Sequence, residues 1–444
     1  MEYDDIIVGA GSSGAVLTAR LSEDPNRSVL LLEAGPDYRT IDETPNDLLR
    51  SSISFADHDW GWAAQATPQR EIHLWRGEVT GGCSAINASV AIRGVPADFD
   101  EWAALGNDQW SFEKVLPFHR KLEHDADFGG DSHGKGGPIW IERPKPSKWH
   151  PTVSAFYASC RAMGFADSPD FNDPQSTGVG PCARNLRDGI RVSTAIGYLA
   201  LARDRLNLTI RGGCLANRVV IENGRAVGVE VEAGGEKHRV YGKRVTLSAG
   251  AFASPTILMR SGIGQRAELE RHGIRTLLDA PGVGANLIDH PLVLMLAELS
   301  SEAIQHSEDT DHSRWSVLLR YTATGSDEFN DMQLHFVPMV DWTMVPGFSG
   351  RTRNRTNVAG VSGASASAFA RQAQPAQRKS SRSAEYRPQL FRRSRGHAPH
   401  DGRHALGMAN HASAGGRERM EGADGGSIGA GSRPVYSGLE YRDH

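Results

Sequence analysis

The sequence predicts an α/β protein built on a helix-flanked parallel sheet. Ile6-Ile7-Val8 is a short β-branched run, the pattern of a strand buried on both faces of a parallel sheet. It enters Gly9-Ala10-Gly11-Ser12-Ser13-Gly14, and residues 15–21 continue as a helix. Ser28-Val29-Leu30-Leu31-Leu32 is a second buried-strand run, closed by Glu33. Residues 218–230 alternate around Asn223-Gly224, which signals a hairpin. Val245-Thr246-Leu247-Ser248-Ala249-Gly250 reads as another buried strand, with Ser254 as the N-cap and Pro255 as the first residue of the next helix. Gly136-Gly137-Pro138-Ile139-Trp140-Ile141 and Met332-Gln333-Leu334-His335-Phe336-Val337-Pro338 are two further clear strands.

Length and composition narrow the class. With 444 residues the chain has material for two to three domains. It is 39% hydrophobic and 23% charged, with mean hydropathy −0.42, the profile of a soluble protein. No run approaches the roughly 20 apolar residues of a membrane-spanning helix, so integral membrane association is not expected. Met1-Glu2-Tyr3-Asp4-Asp5 is acidic where a signal peptide is basic. The four cysteines, Cys83, Cys160, Cys182 and Cys214, are widely spaced without C-x-x-C. Neither a disulfide scaffold nor a metal site follows from them, and a reducing, cytoplasmic compartment is expected.

The first 35 residues carry the chemistry of dinucleotide binding. Gly9 permits the tight turn, Gly11 lets a pyrophosphate approach the backbone, and Gly14 allows close helix–strand packing. The helix N-terminus at Ser12 and Ser13 offers free N–H groups and partial positive charge to phosphates. Glu33 stands nineteen residues after Gly14, where a carboxylate accepts hydrogen bonds from ribose hydroxyls and repels a 2′-phosphate. This Rossmann-type unit argues against NADP and leaves NAD and FAD open.

Further blocks carry a family resemblance. Arg76-Gly77-Glu78-Val79-Thr80-Gly81-Gly82-Cys83-Ser84-Ala85-Ile86-Asn87 resembles the first signature of the glucose–methanol–choline (GMC) flavoprotein oxidoreductases. The run from Gly250 to Gly264 resembles the second, and Pro281-Gly282-Val283-Gly284-Ala285-Asn286-Leu287-Ile288-Asp289-His290-Pro291 resembles a third block. The resemblance covers residues 3–345 and is choline-dehydrogenase-like. It implies a Rossmann-type FAD-binding domain from 1–135 and 185–295, interleaved with a partial, antiparallel-sheet substrate-binding domain of α+β character from 136–184 and 296–350 that holds the strands at 136–141 and 332–338, with the C-terminus incomplete. It also implies flavin contacts from Val79, Gly81, Gly82, Asn87, Ala88, Ser89 and Val90, an adenine contact from Val219, and a phosphate contact from Ala249, alongside Gly9, Gly11, Ser12, Ser13, Gly14, Glu33 and Ala34. Relatives with covalent flavin use a His where this chain has Ala85 and Ile86, so FAD is expected to be non-covalent and Cys83 a small packing residue. Asp289-His290 is expected to be framework. Trp60 and Trp62 are read as aromatic packing, and His335 as a sheet residue facing pocket or core rather than a base.

The C-terminal residues read differently. Residues 351–444 carry 15 Arg, 1 Lys and 7 acidic residues, a net +9 that leaves −13 on residues 1–350. Nine of these 94 residues are Leu, Ile, Val or Phe, below the roughly 20% under which chains tend to stay unfolded. A basic tail for nucleic acid or lipid, an ordinary disordered extension, and a change of reading frame near residue 350 are the three readings. Scattered arginines and few aromatics count against nucleic acid as a partner, and the Arg/Ala/Gly/Ser/Pro enrichment favours the third. His397, His400, His404 and His411 have no surroundings that would fix a metal geometry.

The family's alcohol oxidation uses a C-terminal His followed by a second His or Asn. Residues 346–444 hold no match to that segment, so no catalytic residue is assigned. Three functions remain: an FAD-dependent oxidoreductase acting on the CH–OH group of a small alcohol or polyol, a truncated or frame-shifted member that binds FAD without turnover, and a lyase of the same fold. The electron acceptor, oxygen or a carrier, stays open.

Overall fold

The computed structural model describes residues 2–51, 56–67, 70–285, 287, 293–298, 300, 316–340 and 358–364. A six-stranded sheet forms its centre. Its strands are β1 (Glu2–Val8), β2 (Val29–Leu32), β4 (Leu208–Arg211), β5 (Cys214–Glu222), β6 (Arg225–Ala233) and β7 (Glu236–Leu247), in the order β4-β2-β1-β7-β6-β5. The first four in that order run parallel, while β5, β6 and β7 form an antiparallel meander.

Strand periodicity explains why the apolar runs are continuous. Ile6, Val8, Leu30 and Leu32 face one cluster with Val219, Val229 and Ile257. Ile7, Val29 and Leu31 face the other, with Ala10, Ala15 and Leu199. Helix α1 (Ser12–Leu21) covers the second face, and α3 (Gly250–Arg260) contributes to the first. Both faces are therefore dry, as expected of a parallel core. Helix α1 begins three residues earlier than its apolar pattern, because Gly11 already takes the capping position. The Asn223-Gly224 turn is the expected hairpin, with φ of 50° and 75° at the two residues.

A second, five-stranded sheet is antiparallel. It comprises β3 (Gly178–Pro181), β8 (Val293–Glu298), β9 (Val317–Tyr321), β10 (Met332–Val340) and β11 (Val358–Ala364), in the order β8-β11-β10-β9-β3. Helix α2 (Pro151–Ala162), with Pro151 at its first position and His150 as N-cap, packs Val153 and Cys160 against Val179, Val317 and Leu319. Among the described residues no helix is long and apolar enough to cross a membrane.

Two expectations are corrected here, and two strands fall across expected bounds. Ile139–Ile141 pairs in parallel with Glu123–Asp125 as a separate two-stranded unit and does not join the five-stranded sheet. Strand β8 belongs to that sheet and spans residue 295. Strand β11 follows the compositional break at 351 and sits between the edge strand β8 and β10. Its residues are small and without period, and the two flanking strands supply the register. Finally, α3 starts at Gly250 with Ala249 as its cap, which leaves both Ser254 and Pro255 inside the helix. Gly250, at φ +84°, turns the chain into helix almost directly off β7.

Candidate functional site

The carboxyl ends of β1, β2 and β7 meet at one place. Leaving β1, Gly9 takes φ +94°, and a Cβ there would lie 2.7 Å from Ala249 Cα and Ser248 O. Gly14 stands against this turn, where a Cβ would come 1.9 Å from Gly9 O. Ser248 Oγ lies 2.9 Å from the carbonyls of both Val8 and Gly9. Both glycines are thus dictated by the protein's own packing. Gly11 is different. Its backbone is extended, with φ −75°, and the nearest atom to a Cβ is Gly82 Cα at 3.8 Å. Next to it Ser12 and Ser13 are exposed, and α1 has no acidic residue in its first turn and no side-chain cap. Its first amides are left to a ligand or solvent.

Glu33 closes the second side. It is 6% exposed, and its Oε2 accepts from Ala10 N at 2.8 Å while Oε1 accepts from Gly35 N at 3.0 Å. Burial pushes its pKa up to about 7, against the pull of these backbone amides. The half-buried Ala34 lies between Glu33 and Gly35.

The segment of the first signature folds onto this turn. Thr80 N donates to Pro36 O at 3.0 Å and Gly81 N donates to Ala10 O at 2.8 Å. Gly82, at φ +50°, lies so close to Gly11 that a Cβ would be 2.7 Å from Gly11 Cα. Val79 is fully buried with Leu48, Ala85 and Ile86. After the one-turn helix Cys83–Ile86, Asn87 is exposed, and its Oδ1 accepts from Ser89 N at 2.9 Å. Ala88 is half-buried, Ser89 is fully buried at φ +59°, and Val90 bridges to Arg184.

The structure therefore brings Gly9, Gly11, Gly14, Glu33, Val79, Gly81, Gly82 and Ala249 together, with Asn87 to Val90 continuing the chain from them. Val219 sits in the sheet's core cluster, its N–H bonded to Ser261 Oγ at 2.8 Å. Cys83 is exposed and free, which corrects its expected packing role: as the first residue of a single turn it faces away from the cluster that takes Ala85 and Ile86. Trp60 and Trp62 stack at 5.1 Å, and Trp62 meets Phe252 edge-on at 5.8 Å. His335 is buried on β10, and burial followed by the nearby Arg184 pushes its pKa down to about 4. Asp289 and His290 lie outside the described residues.

Two features escaped the sequence. One is a buried polar network: Arg143 Nη1 donates to both oxygens of Asp125 at 2.9 Å, Arg93 Nη2 reaches Glu123 at 2.5 Å, and His133 Nε2 meets Asp170 at 2.7 Å. Burial opposes charge on His133, but Asp125, Asp170 and Glu123 outweigh it and push its pKa up to about 11. Ligand atoms of Glu123, Asp125 and His133 lie within 4.8 Å of one another, yet arginines and the imidazolium already meet these carboxylates, which does not suit a metal cation. The other feature is a pair of buried arginines, Arg184 and Arg191. Their backbone acceptors are too distant in sequence to leave a local motif.

A family model described as GMC oxidoreductase matches residues 3–292. The chain belongs to the GMC oxidoreductase family. It is 40% identical over 295 residues to an oxygen-dependent choline dehydrogenase of Photobacterium profundum, covering 65% of this chain and 51% of that protein. It is 40% identical over 296 residues to an uncharacterized GMC-type oxidoreductase of Rhodococcus erythropolis, covering 66% and 59%. The chain thus spans about half to three fifths of these relatives' lengths. Among solved structures it resembles pyridoxine 4-oxidase from Mesorbium loti, with TM-score 0.71 and 28% identity over 82% of this chain and 71% of that one.

Proposed function

We propose that this GMC family chain binds FAD non-covalently and serves the oxidation of a CH–OH group in a small alcohol or polyol. Gly11 carries the reading. Neither its backbone angle nor its protein contacts call for glycine, while Gly9 and Gly14 beside it are forced. A glycine kept for nothing in the protein keeps room for a ligand, and the donors around it suit a dinucleotide. In this reading the amides of Ser12 and Ser13 hold the pyrophosphate, and Glu33 accepts from the ribose. Val219 and Ala249 flank the adenosine and phosphates, while Val79, Gly81, Gly82 and residues 87–90 line the isoalloxazine. Bound FAD supplies a hydride acceptor at N5; the chain's residues bind it, orient it and exclude water. No residue is assigned as the base that takes the hydroxyl proton. Ala85 and Ile86 offer no nucleophile for covalent attachment, which supports non-covalent binding. The cytoplasm is the proposed location, on the widely spaced cysteines.

A second reading, FAD binding without turnover, is favoured by one observation: residues 346–444 hold no match to the family's catalytic segment. The visible spectrum of the purified chain, followed by anaerobic addition of a panel of alcohols, tests both. Bleaching of bound flavin supports oxidation, and reoxidation by air then identifies oxygen as an acceptor. Bound flavin that no alcohol bleaches supports the second reading. A colourless chain that takes up no added FAD refutes both.

A further inference from the structure

Arg184 and Arg191 are both 0% exposed and flank the short hairpin of Leu186–Arg187 and Ile190–Arg191, the latter residue being its end. Arg191 donates from Nε to Ser89 Oγ at 3.3 Å and from Nη2 to Arg50 O at 3.2 Å. Its Nη1 faces the carbonyls of Leu48 at 2.8 Å, Asp47 at 3.2 Å, and Ala85. Arg184 Nη2 donates to Ala88 O at 2.7 Å and Ser51 Oγ at 2.8 Å. Main-chain bonds run beside them, Asn185 N to Ser89 O and Ala91 N to Ala183 O, each at 2.9 Å.

These acceptors share a physical origin. The helices Asn46–Leu49 and Cys83–Ile86 are single turns, too short to persist on propensity. Their last carbonyls lack intrahelical donors and carry the negative end of the helix dipole. Both ends converge on the Arg191 guanidinium, so one buried cation caps two helices. Burial lowers its pKa to about 10, which leaves it charged at neutral pH. The second helix leads directly into Ser89, whose left-handed backbone is unfavourable for a residue with a Cβ and is held by bonds to both its carbonyl and its hydroxyl.

We propose that Arg191, assisted by Arg184, is a positioning residue that sets the segment 87–90 against the isoalloxazine ring; this inference rests on the FAD reading above. None of Arg191's acceptors belongs to the glycine-rich turn or to Glu33. Its loss should therefore disturb the flavin end of the site and spare the adenosine end.

Calorimetric titration of the full chain with FAD and, separately, with ADP tests this. Arg191→Met should weaken FAD at least tenfold and leave ADP within twofold. Arg191→Lys keeps the charge without the five-donor fan and should fall between. FAD affinity in Arg191→Met equal to the parent's overturns the proposal. Parallel loss of FAD and ADP overturns it too, since Arg191 would then support the fold at large. Should Arg191→Met fail to fold, the FAD-to-ADP ratio of Arg191→Lys decides by the same criteria. A parent chain that binds neither nucleotide overturns the FAD reading and this inference together, an outcome visible before any substitution is made.

Discussion

Glu33→Gln separates what the carboxylate does for its own loop from what it does for a ribose. Glu33 is buried, accepts two backbone amides, and has its pKa raised from 4.5 to about 7. The unfolded chain releases this proton near pH 4.5 and the folded chain keeps it until near pH 7. Stability from this group is thus fully present below the lower value and lost as pH rises through the upper one. At about 1.4 kcal/mol per pH unit the gap corresponds to about 3 kcal/mol. Glutamine escapes that loss but turns an NH2 towards one of the two amides, at a cost of about 1–3 kcal/mol. At pH 8 the two effects nearly cancel, so the variant's Tm should lie within about 5 °C of the parent's. At pH 5 only the lost bond remains, and the variant should be the less stable protein. Nucleotide binding gives the second readout. A ribose hydroxyl donates to the ionised carboxylate, so the parent's ADP affinity should rise about tenfold between pH 6 and pH 8. The variant should show no such rise and bind about tenfold or more weakly at pH 8, the worth of a hydrogen bond to charge. Calorimetry at both pH values measures this. Equal ADP affinity of variant and parent at pH 8, or a pH-independent parent, refutes the reasoning.

Gly11→Ala meets no protein atom closer than 3.8 Å and should keep the parent's Tm while losing FAD binding; Gly14→Ala drives a Cβ to 1.9 Å from Gly9 O and should fail to give folded protein by circular dichroism. Asp125→Ala leaves Arg143 and protonated His133 without the carboxylate between them, and urea unfolding should show a loss of about 3–5 kcal/mol; under about 1 kcal/mol would contradict the charge-balanced network. A chain ended after residue 364 keeps β11, whereas one ended at 350 strips it from between β8 and β10; size-exclusion chromatography should find the shorter chain aggregated through its open edges. Acid precipitation of FAD-loaded protein should release all the flavin into the supernatant, and yellow colour in the pellet would show a covalent link.

The dinucleotide half of the fold is legible because its causes are local. Ile6 and Ile7 are neighbours that face opposite clusters, so an unbroken apolar run means a strand covered on both sides. The spacing of Gly9, Gly11 and Gly14 records which backbone atoms approach within a few residues. Misreadings arise where a distant or competing cause wins. Ser254-Pro255 is a sound start signal, but the left-handed Gly250 starts the helix earlier. Val358–Ala364 has neither bulk nor alternation, and becomes a strand because β8 and β10 offer it hydrogen bonds on both edges. Arg191 leaves no trace in spacing, since the carbonyls it caps come from residues 47–50 and 85.

The same contrast shows how the site is built. Three parallel strands end together and deliver Gly9, Glu33 and Ala249 to one crevice, the usual position for a ligand on such a sheet. Backbone amides do most of the recognition there. Every sequence has amides, so selection acts through residues that keep side chains away. A glycine that answers to protein packing couples stability and binding, because replacing it damages both. Gly9 and Gly14 are of this kind. Gly11 answers only to the crevice, so its replacement should change binding alone. The flavin end is built the opposite way: its turn carries side chains, includes a left-handed serine, and sits on a one-turn helix. Such a segment cannot hold its own geometry by propensity. The burial of two arginines behind it is the physical answer, and it makes that end of the crevice depend on residues about a hundred positions away in the chain.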